Sequence, residues 1–310
     1  MMQTSIIHPL LALLLAPLLL GVIVRTKSFF AGRDGPPLLQ LYFDLLKLLR
    51  KGSVYSRTTS WVFRAGPIVG LAAAMAALAL TPFGGQRAVV TFPCDLIALA
   101  YLLGLMRFFT VLAALDTASA FEGMGASREA QFSALAEPAL LLGLAAVARL
   151  TGCLSLNELS LSEMLARVTP GAWQHAGAAL GLVAAALLVV FLAENARIPV
   201  DDPNTHLELT MIHEVMVLDH SGPDLAYILY GAALKMWILG AVLVGVVAPV
   251  RTGNAALDIG AALGGMFALA VLVGVIESCM ARLRLLRVPQ MLVGATVLAG
   301  LALVLLLRTT

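Results

Sequence analysis

Charge is scarce in this sequence: Asp, Glu, Lys and Arg together make up 12% of the 310 residues, whereas 60% are hydrophobic. A mean hydropathy of +0.95 excludes the pair of soluble domains that the length alone would suggest and points to one helical bundle in a membrane. Cysteine is nearly absent. Cys94, Cys153 and Cys279 stand far apart with no Cys-x-x-Cys pair, which excludes an iron-sulfur cluster or a structural zinc site built from local spacing and leaves no disulfide framework. No basic block is interleaved with aromatics, so nucleic acid is not an expected partner. The chain also lacks a Gly-x-Ser-x-Gly elbow, a phosphate loop and a dinucleotide fingerprint, which argues against the common forms of hydrolysis, phosphoryl transfer and hydride transfer. His213-Glu214 is followed by Val215, Met216 and Val217, so the second histidine of a zinc-protease helix is missing and no metal site is expected. No positive charge precedes the first apolar run and no small-x-small site follows it. That run is expected to be a retained span rather than a cleaved signal.

What the chain has is long apolar runs. A span takes about 20 apolar residues, and eight runs qualify, at roughly 5–24, 61–81, 94–113, 129–150, 173–193, 226–249, 257–280 and 289–307. The expected fold class is an all-α polytopic membrane protein, with residues 1–310 as a single membrane domain. Segments 25–64, 107–128, 194–225 and 281–289 hold 14 Lys and Arg, against five (Arg87, Arg149, Arg167, Arg251 and Arg308) on the opposite side and at the far end. By the positive-inside rule those four segments face the cytoplasm and both termini lie outside. Residues 37–51 place apolar side chains at helical spacing, with Asp44, Lys47, Arg50 and Lys51 on the other face. This predicts an amphipathic helix along the cytoplasmic membrane surface, either a lipid anchor or a docking shelf for a soluble partner.

The polar residues are concentrated. Residues 194–224 hold seven carboxylates and three histidines against a single arginine, Arg197, between two apolar runs. An acid at a membrane helix centre costs about 2.5–3.5 kcal/mol on insertion scales, so such groups must be paired, protonated or wetted. Pro199 and Pro203 interrupt helix here, and Asp201-Asp202 predicts an N-capped helix over 205–217, with His206 and His213 on one face and His220 a further repeat along. Histidine suits proton exchange near neutral pH wherever water reaches it. The second concentration is 116–138. There Gly123 and Gly125 are expected to break the preceding segment, so that a helix starts at Ser127 or Arg128 with Glu129 in its first turn and Glu137 on the same face, about 12 Å deeper by the helical rise. Membrane carboxylates, a charged cytoplasmic face and no cofactor motif point to an ion path under another subunit's control.

These motifs also look alike as a set. Gly32-Arg33-Asp34-Gly35-Pro36, followed by Gln40, Asp44 and Lys47, resembles the Arg-x-Gly-Pro element of the family that unites complex I membrane subunit 1 with the membrane subunits of formate hydrogenlyase and hydrogenase-4 type complexes. Gly125-Ala126-Ser127-Arg128-Glu129 with Glu137-Pro138 is similar to the hydrogenase branch. Glu194-x-x-Arg197-x-Pro199-Val200-Asp201-Asp202 resembles the family's Glu-x-x-Arg-x-Pro-Phe-Asp element, and His206-Leu207-Glu208-Leu209 through His213-Glu214 resembles its hydrogenase-type continuation. The resemblance spans nearly the whole chain. Val200 in place of Phe, and the 206–214 run in place of Glu-Ala-Glu, set the sequence apart from the quinone-reducing branch.

The resemblance implies a non-catalytic subunit of a multi-subunit oxidoreductase in the inner membrane. It would hold no cofactor itself, the nickel-iron centre and iron-sulfur clusters lying in partner subunits. Its expected partners are membrane lipid, soluble hydrogenase large and small subunits, a ferredoxin-like subunit and antiporter-like membrane subunits. Glu194, Asp202, Glu208 and Glu214, with His206 and His213, would form the mouth of a charged path continued by Glu129 and Glu137. Arg128, Arg197 and Lys235 would be counter-charges, and Arg33, Gly35, Pro36, Asp44 and Lys47 would dock the soluble arm. The alternatives are a quinone-site subunit of a complex I-type NADH dehydrogenase and, in another class, a stand-alone secondary ion transporter, although no second half of the chain mirrors 194–224.

Overall fold

The computed structural model describes residues 2–153, 159–201 and 211–308. Its helices in chain order are α1 (Met2–Phe30), α2 (Gln40–Leu49), α3 (Trp61–Ala79), α4 (Asp95–Asp116), α5 (Ala120–Thr151), α6 (Leu161–Arg167), α7 (Pro170–Glu194), α8 (Gly222–Val247), α9 (Ala255–Cys279) and α10 (Val288–Arg308), with short 3₁₀ turns at Glu214–Val217 and Leu285–Arg287. Among the described residues there is no strand, only a single bridge between Phe83 and Gln86. Eight of the helices are long and apolar enough to cross a membrane, which makes this a multi-pass all-α membrane protein.

α8 is the central column. Of its most apolar stretch 78% is buried inside the bundle, against 28–44% for the other seven. Residues on all its faces, including Leu234, Trp237 and Ile238, are fully covered, so the neighbouring helices must surround it. α1 lies against α8 and α9, α3 against α4 and α8, and α10 fills the angle between α5 and α7. Helix starts are fixed by side-chain acceptors: Thr169 caps α7 and Asn254 caps α9. At α3, the Asp116 carboxylate accepts from Ser60 N, Ser60 Oγ and Phe63 N, which ties the end of α4 to the start of α3. That carboxylate has a structural task, satisfying orphan N–H groups of a helix terminus. Asp95 does the same at the opposite end of the bundle, accepting from Ser160 Oγ and Leu161 N.

Three boundaries differ from the sequence expectation, and each difference moves a charged residue. α4 runs to Asp116, three residues past the expected end of the span, so Arg107, where the expected span and polar segment overlap, lies well inside the helix. α5 begins at Ala120 after Ser119 and runs unbroken through Gly123 and Gly125. Glu129 therefore sits in the helix interior, well past the first turn. Gly125 does not end the helix; it lets the 212–216 segment pack against it, for a Cβ there would lie 2.3 Å from Val215 Cγ1. Around His213 the described chain forms no long helix, only the turn Glu214–Val217, because the Asp201 carboxylate takes up the N–H groups of Ile212 and His213. His220 accordingly does not continue a helical face from His213.

The amphipathic helix is present as α2, packed on α1 and α8. The Tyr42 hydroxyl donates to the Leu14 carbonyl of α1, so α2 lies alongside a spanning helix. Phe43, Leu46 and Leu49 remain exposed beside Lys47, Arg50 and Lys51, the arrangement of a helix whose apolar stripe meets lipid.

Candidate functional site

Arg107 is the hub of the largest charged cluster among the described residues. It projects from the middle of α4, its side chain only 10% exposed, and meets three carboxylates from two other helices. Its Nη2 donates to both oxygens of Glu194 at the end of α7, at 3.0 and 3.1 Å. Its Nη1 donates to Glu137 Oε1 at 3.3 Å, and its Nε lies 3.8 Å from Glu129 Oε1, both on α5. Lys235 Nζ of α8 approaches Glu194 Oε2 at 3.8 Å, and His213 Nδ1 approaches Glu129 Oε2 at 3.3 Å. One continuous chain results: His213, Glu129, Arg107, Glu194 and Lys235, with Glu137 branching from Arg107.

Two properties decide what this chain can do. First, its middle and its Lys235 end are dry while its His213 end and its Glu137 branch are open: the Glu129, Glu194 and Lys235 side chains are 7–9% exposed, whereas His213 is 30% and Glu137 54% exposed. Second, three carboxylates face one guanidinium and one amine, so with all five charged and His213 uncharged the cluster holds one excess negative charge, which a single added proton removes. In a low-dielectric interior a lone buried charge is expensive, and the proton that removes it can sit on the imidazole or on a carboxylate. A small change in nearby charge redistributes such a proton.

A second ion-paired line runs beside the first. Glu277 of α9, whose side chain is fully buried, lies 3.0 Å from Lys27 of α1 and 3.5 Å from Arg197. Arg282 pairs with Asp201 at 2.7 Å. The other Asp201 oxygen holds the backbone of His213, so the Arg282–Asp201 pair reaches the Arg107 chain at that histidine. Ala196 has a φ of +50°, and this bend returns Arg197 into the bundle directly after α7 ends. A non-glycine residue in that region is strained, and it is held in place by the surrounding pairs.

A family profile described as NADH dehydrogenase matches residues 3–310. The chain belongs to the NADH dehydrogenase family. Within this NADH dehydrogenase family, formate hydrogenlyase subunit 4 of Escherichia coli (strain K12) is 31% identical over 298 residues, covering 91% of this chain and 92% of the relative. Hydrogenase-4 component C of the same organism is 30% identical over 253 residues, covering 79% and 75%. An NADH-quinone oxidoreductase subunit of Rubrobacter xylanophilus (strain DSM 9941 / JCM 11954 / NBRC 16129 / PRD-1) is 30% identical over 212 residues, covering 68% and 62%. In fold, the chain superposes with a TM-score of 0.82, at 18% identity and 98% coverage of both chains, on a chain of the membrane-bound sulfane sulfur reductase, an archaeal respiratory membrane complex. With its eight spans, this NADH dehydrogenase family chain is a complex I-like membrane subunit.

Of the residues singled out in the sequence, this family member brings Glu129, Glu137, Glu194, His213 and Lys235 into one cluster. Arg128 is not a counter-charge to any of these acids: its Nη1 donates to the Met211 carbonyl at 3.0 Å and so pins the 211–217 segment to α5. Arg197 does meet a carboxylate, but that of Glu277. Glu214 opens the 3₁₀ turn and is half-buried. Asp202, His206 and Glu208 lie outside the described residues. Arg33 and Pro36 are exposed, Gly35 is half-buried, Lys47 is exposed, and Asp44 accepts from Gln40 Nε2 at 2.9 Å. Arg107, Glu277 and Arg282 were missed as site residues. Arg107 and Glu277 carried a usable signal, for each is a charge inside an apolar run.

Proposed function

We propose that this chain is the membrane-anchor and energy-coupling subunit of a complex I-like hydrogenase of the formate hydrogenlyase or hydrogenase-4 type, docking a soluble redox arm and coupling its electron transfer to proton or sodium translocation. The observation that carries the reading is the Arg107 chain, dry through Glu129, Arg107 and Glu194, open at His213 and at the Glu137 branch, and built from three carboxylates around one guanidinium and one amine. His213 is the end toward the charged loops and Glu137 the end at the flank. Redox change in a soluble arm bound over those loops alters the field at His213, the proton shifts within the chain, and Glu137 passes the change sideways. Each unit of pKa shift corresponds to about 1.4 kcal/mol of coupling.

The flank beside Glu137 fits a membrane neighbour. Gly104 of α4 lies next to Glu137 Oε1, and with Tyr101, Leu105 and Phe108 it lines a shallow groove of about 540 Å³. A half-exposed carboxylate facing hydrocarbon is costly, and an adjoining antiporter-like subunit would cover it. The charged end faces the cytoplasm in this reading and both termini lie outside, as the distribution of Lys and Arg requires. The nickel-iron centre and iron-sulfur clusters belong to the soluble hydrogenase subunits and the ferredoxin-like subunit. The hydrogenase reading is favoured over a quinone-site role by 31% identity along nearly the full formate hydrogenlyase relative, against partial coverage of the NADH-quinone oxidoreductase relative.

Purification of the tagged chain in mild detergent tests the assignment. A multi-subunit particle containing nickel and iron that evolves hydrogen is expected, and a lone chain active as a carrier would contradict it. A quinone-reducing particle would move the chain to the other branch. In the same preparation, charge reversal of Arg33 and Lys47 together is expected to reduce the soluble subunits recovered by about tenfold, equivalent to about 1.4 kcal/mol of docking energy. Recovery at the normal yield would leave these two residues with lipid contacts only.

A further inference from the structure

A second group of buried ionisable side chains lies outside the Arg107 chain, where α3, α4, α5 and α8 end together. Glu122, in the first turn of α5, is 1% exposed; one of its oxygens accepts from Asp219 N at 3.1 Å and the other is buried without a partner. His220 is 5% exposed and stacks on Phe63 with ring centroids 4.0 Å apart, leaving its buried Nδ1 unpartnered. Asp224, in the first turn of α8, is 6% exposed and has one buried oxygen in the same state. These three atoms come from side chains joined by short stretches of backbone, and buried polar groups of this kind are ordinarily satisfied by protein or by ordered water.

We propose that Glu122, His220 and Asp224 enclose a buried water site that loads protons onto Glu122 and delivers them along α5 to Glu129. This rests on the translocation reading above and adds an entrance to it that does not pass through His213. Asp219 supplies the outer contact: its side chain is exposed while its N–H is bonded to Glu122. The site is roofed by the chain itself, because Val54 N donates to Ser221 Oγ and Gly222, at φ +57°, packs on the Gly52 carbonyl. Glu122 and Glu129 share a face of α5, two turns and about 10 Å apart. Between them on that face lie only Gly125 and Ala126, packed by Val215 and Met216. Methionine is flexible enough to swing aside and let water span the interval.

None of the groups described around the site gives Glu122 a counter-charge. α4 contributes Asp116, which is occupied in capping α3. The α3 side presents the ring of Phe63, backed edge-on by Tyr55 with the Arg64 guanidinium 4.3 Å over the Tyr55 ring. Burial lowers the His220 pKa to about 4 against the opposing pull of Asp224 and Asp219. The imidazole is therefore neutral at neutral pH, a hydrogen-bond partner for water and no counter-charge to Glu122.

The test uses the intact complex in sealed proteoliposomes with proton movement followed during turnover, comparing Glu122→Gln, Glu122→Asp and Glu129→Gln. The glutamine at 122 keeps the acceptor for Asp219 N, so the local fold is retained. Translocation is expected to slow several-fold in Glu122→Gln, to recover in Glu122→Asp, and to fail in Glu129→Gln. A hydrogen/deuterium-sensitive carboxyl band in the infrared difference spectrum is expected to vanish with Glu122→Gln. Wild-type translocation in Glu122→Gln beside a dead Glu129→Gln would overturn the water site and leave the Arg107 path standing. Equal slowing in Glu122→Gln and Glu122→Asp would make Glu122 a structural residue and overturn the proposal as well. Wild-type translocation in Glu129→Gln would instead remove the path to which the site leads.

Discussion

Replacing Arg107 with leucine is expected to prevent the complex from accumulating in the membrane. The reason lies in the charge balance. With the guanidinium gone, Glu129, Glu137 and Glu194 are left against Lys235 alone, and two of those carboxylates are almost fully buried. Removing one partner of a buried pair costs about 3–5 kcal/mol because the remaining charge is uncompensated, and that is comparable with the whole stability of many folds. Lysine at 107 should rescue part of the yield, since it restores the charge but not the two-sided fork that reaches Glu137 and Glu194 at once. The amount of assembled complex in solubilised membranes, read by immunoblot after native electrophoresis, measures the effect. Normal assembly of Arg107→Leu would mean that the three carboxylates are already protonated in the resting protein.

Gly125→Leu is expected to have the second largest effect, and for a different physical reason. A Cβ at this position would lie 2.3 Å from Val215 Cγ1, 2.8 Å from the Ile212 carbonyl oxygen and 3.0 Å from Met216 Cγ. Val215 and Met216 could repack, but Ile212 is backbone, held through its N–H by Asp201 and next to Met211, whose carbonyl is held by Arg128. Overpacking of this kind costs about 1–3 kcal/mol even in more forgiving sites. The segment must move away from α5, and it takes His213 with it, breaking the 3.3 Å contact with Glu129. A lowered melting temperature of the purified complex together with lost coupling is the expected outcome. A variant that melts with the wild type would show that the 211–217 segment is not packed on α5 in the assembly.

These two residues also show how far the sequence could be read. The eight spans were legible because hydrocarbon thickness sets a length that 310 residues with so little charge cannot disguise. The acid-rich stretch at 194–224 was legible by contrast with its flanks, and Glu129, Glu137, Glu194 and Lys235 do meet. Arg107 falls where the run 94–113 and the polar segment 107–128 overlap, and only the continuation of the helix to Asp116 shows that it faces the bundle. Gly123 and Gly125 misled for a related reason. Glycine weakens an isolated helix, yet a spanning helix tolerates it, and here Gly125 serves close packing. Pairing across helices is a long-range property: nothing in local spacing tells that Arg197 belongs with Glu277, 80 residues away, or that Arg128 would be used on a backbone carbonyl. Glu122 sits between those glycines and the end of α4, where sequence alone suggests a loop and gives no sign of burial.

Proton movement through the Arg107 chain is tested most directly, and with the least structural disturbance, by Glu194→Gln. Where Arg107→Leu unbalances the cluster, Glu194→Gln leaves two carboxylates facing two cations, so the complex should assemble. The amide keeps the shape and an acceptor for Arg107 while removing the excess negative charge that a proton entering at His213 would neutralise. Protons moved per hydrogen evolved, measured with a pH-sensitive dye in sealed vesicles, is the decisive quantity. The prediction is a fall of at least about tenfold, the effect of a barrier raised by about 1.4 kcal/mol, with hydrogen evolution itself sustained. An unchanged ratio at normal turnover would contradict it and reduce the cluster to a set of structural ion pairs.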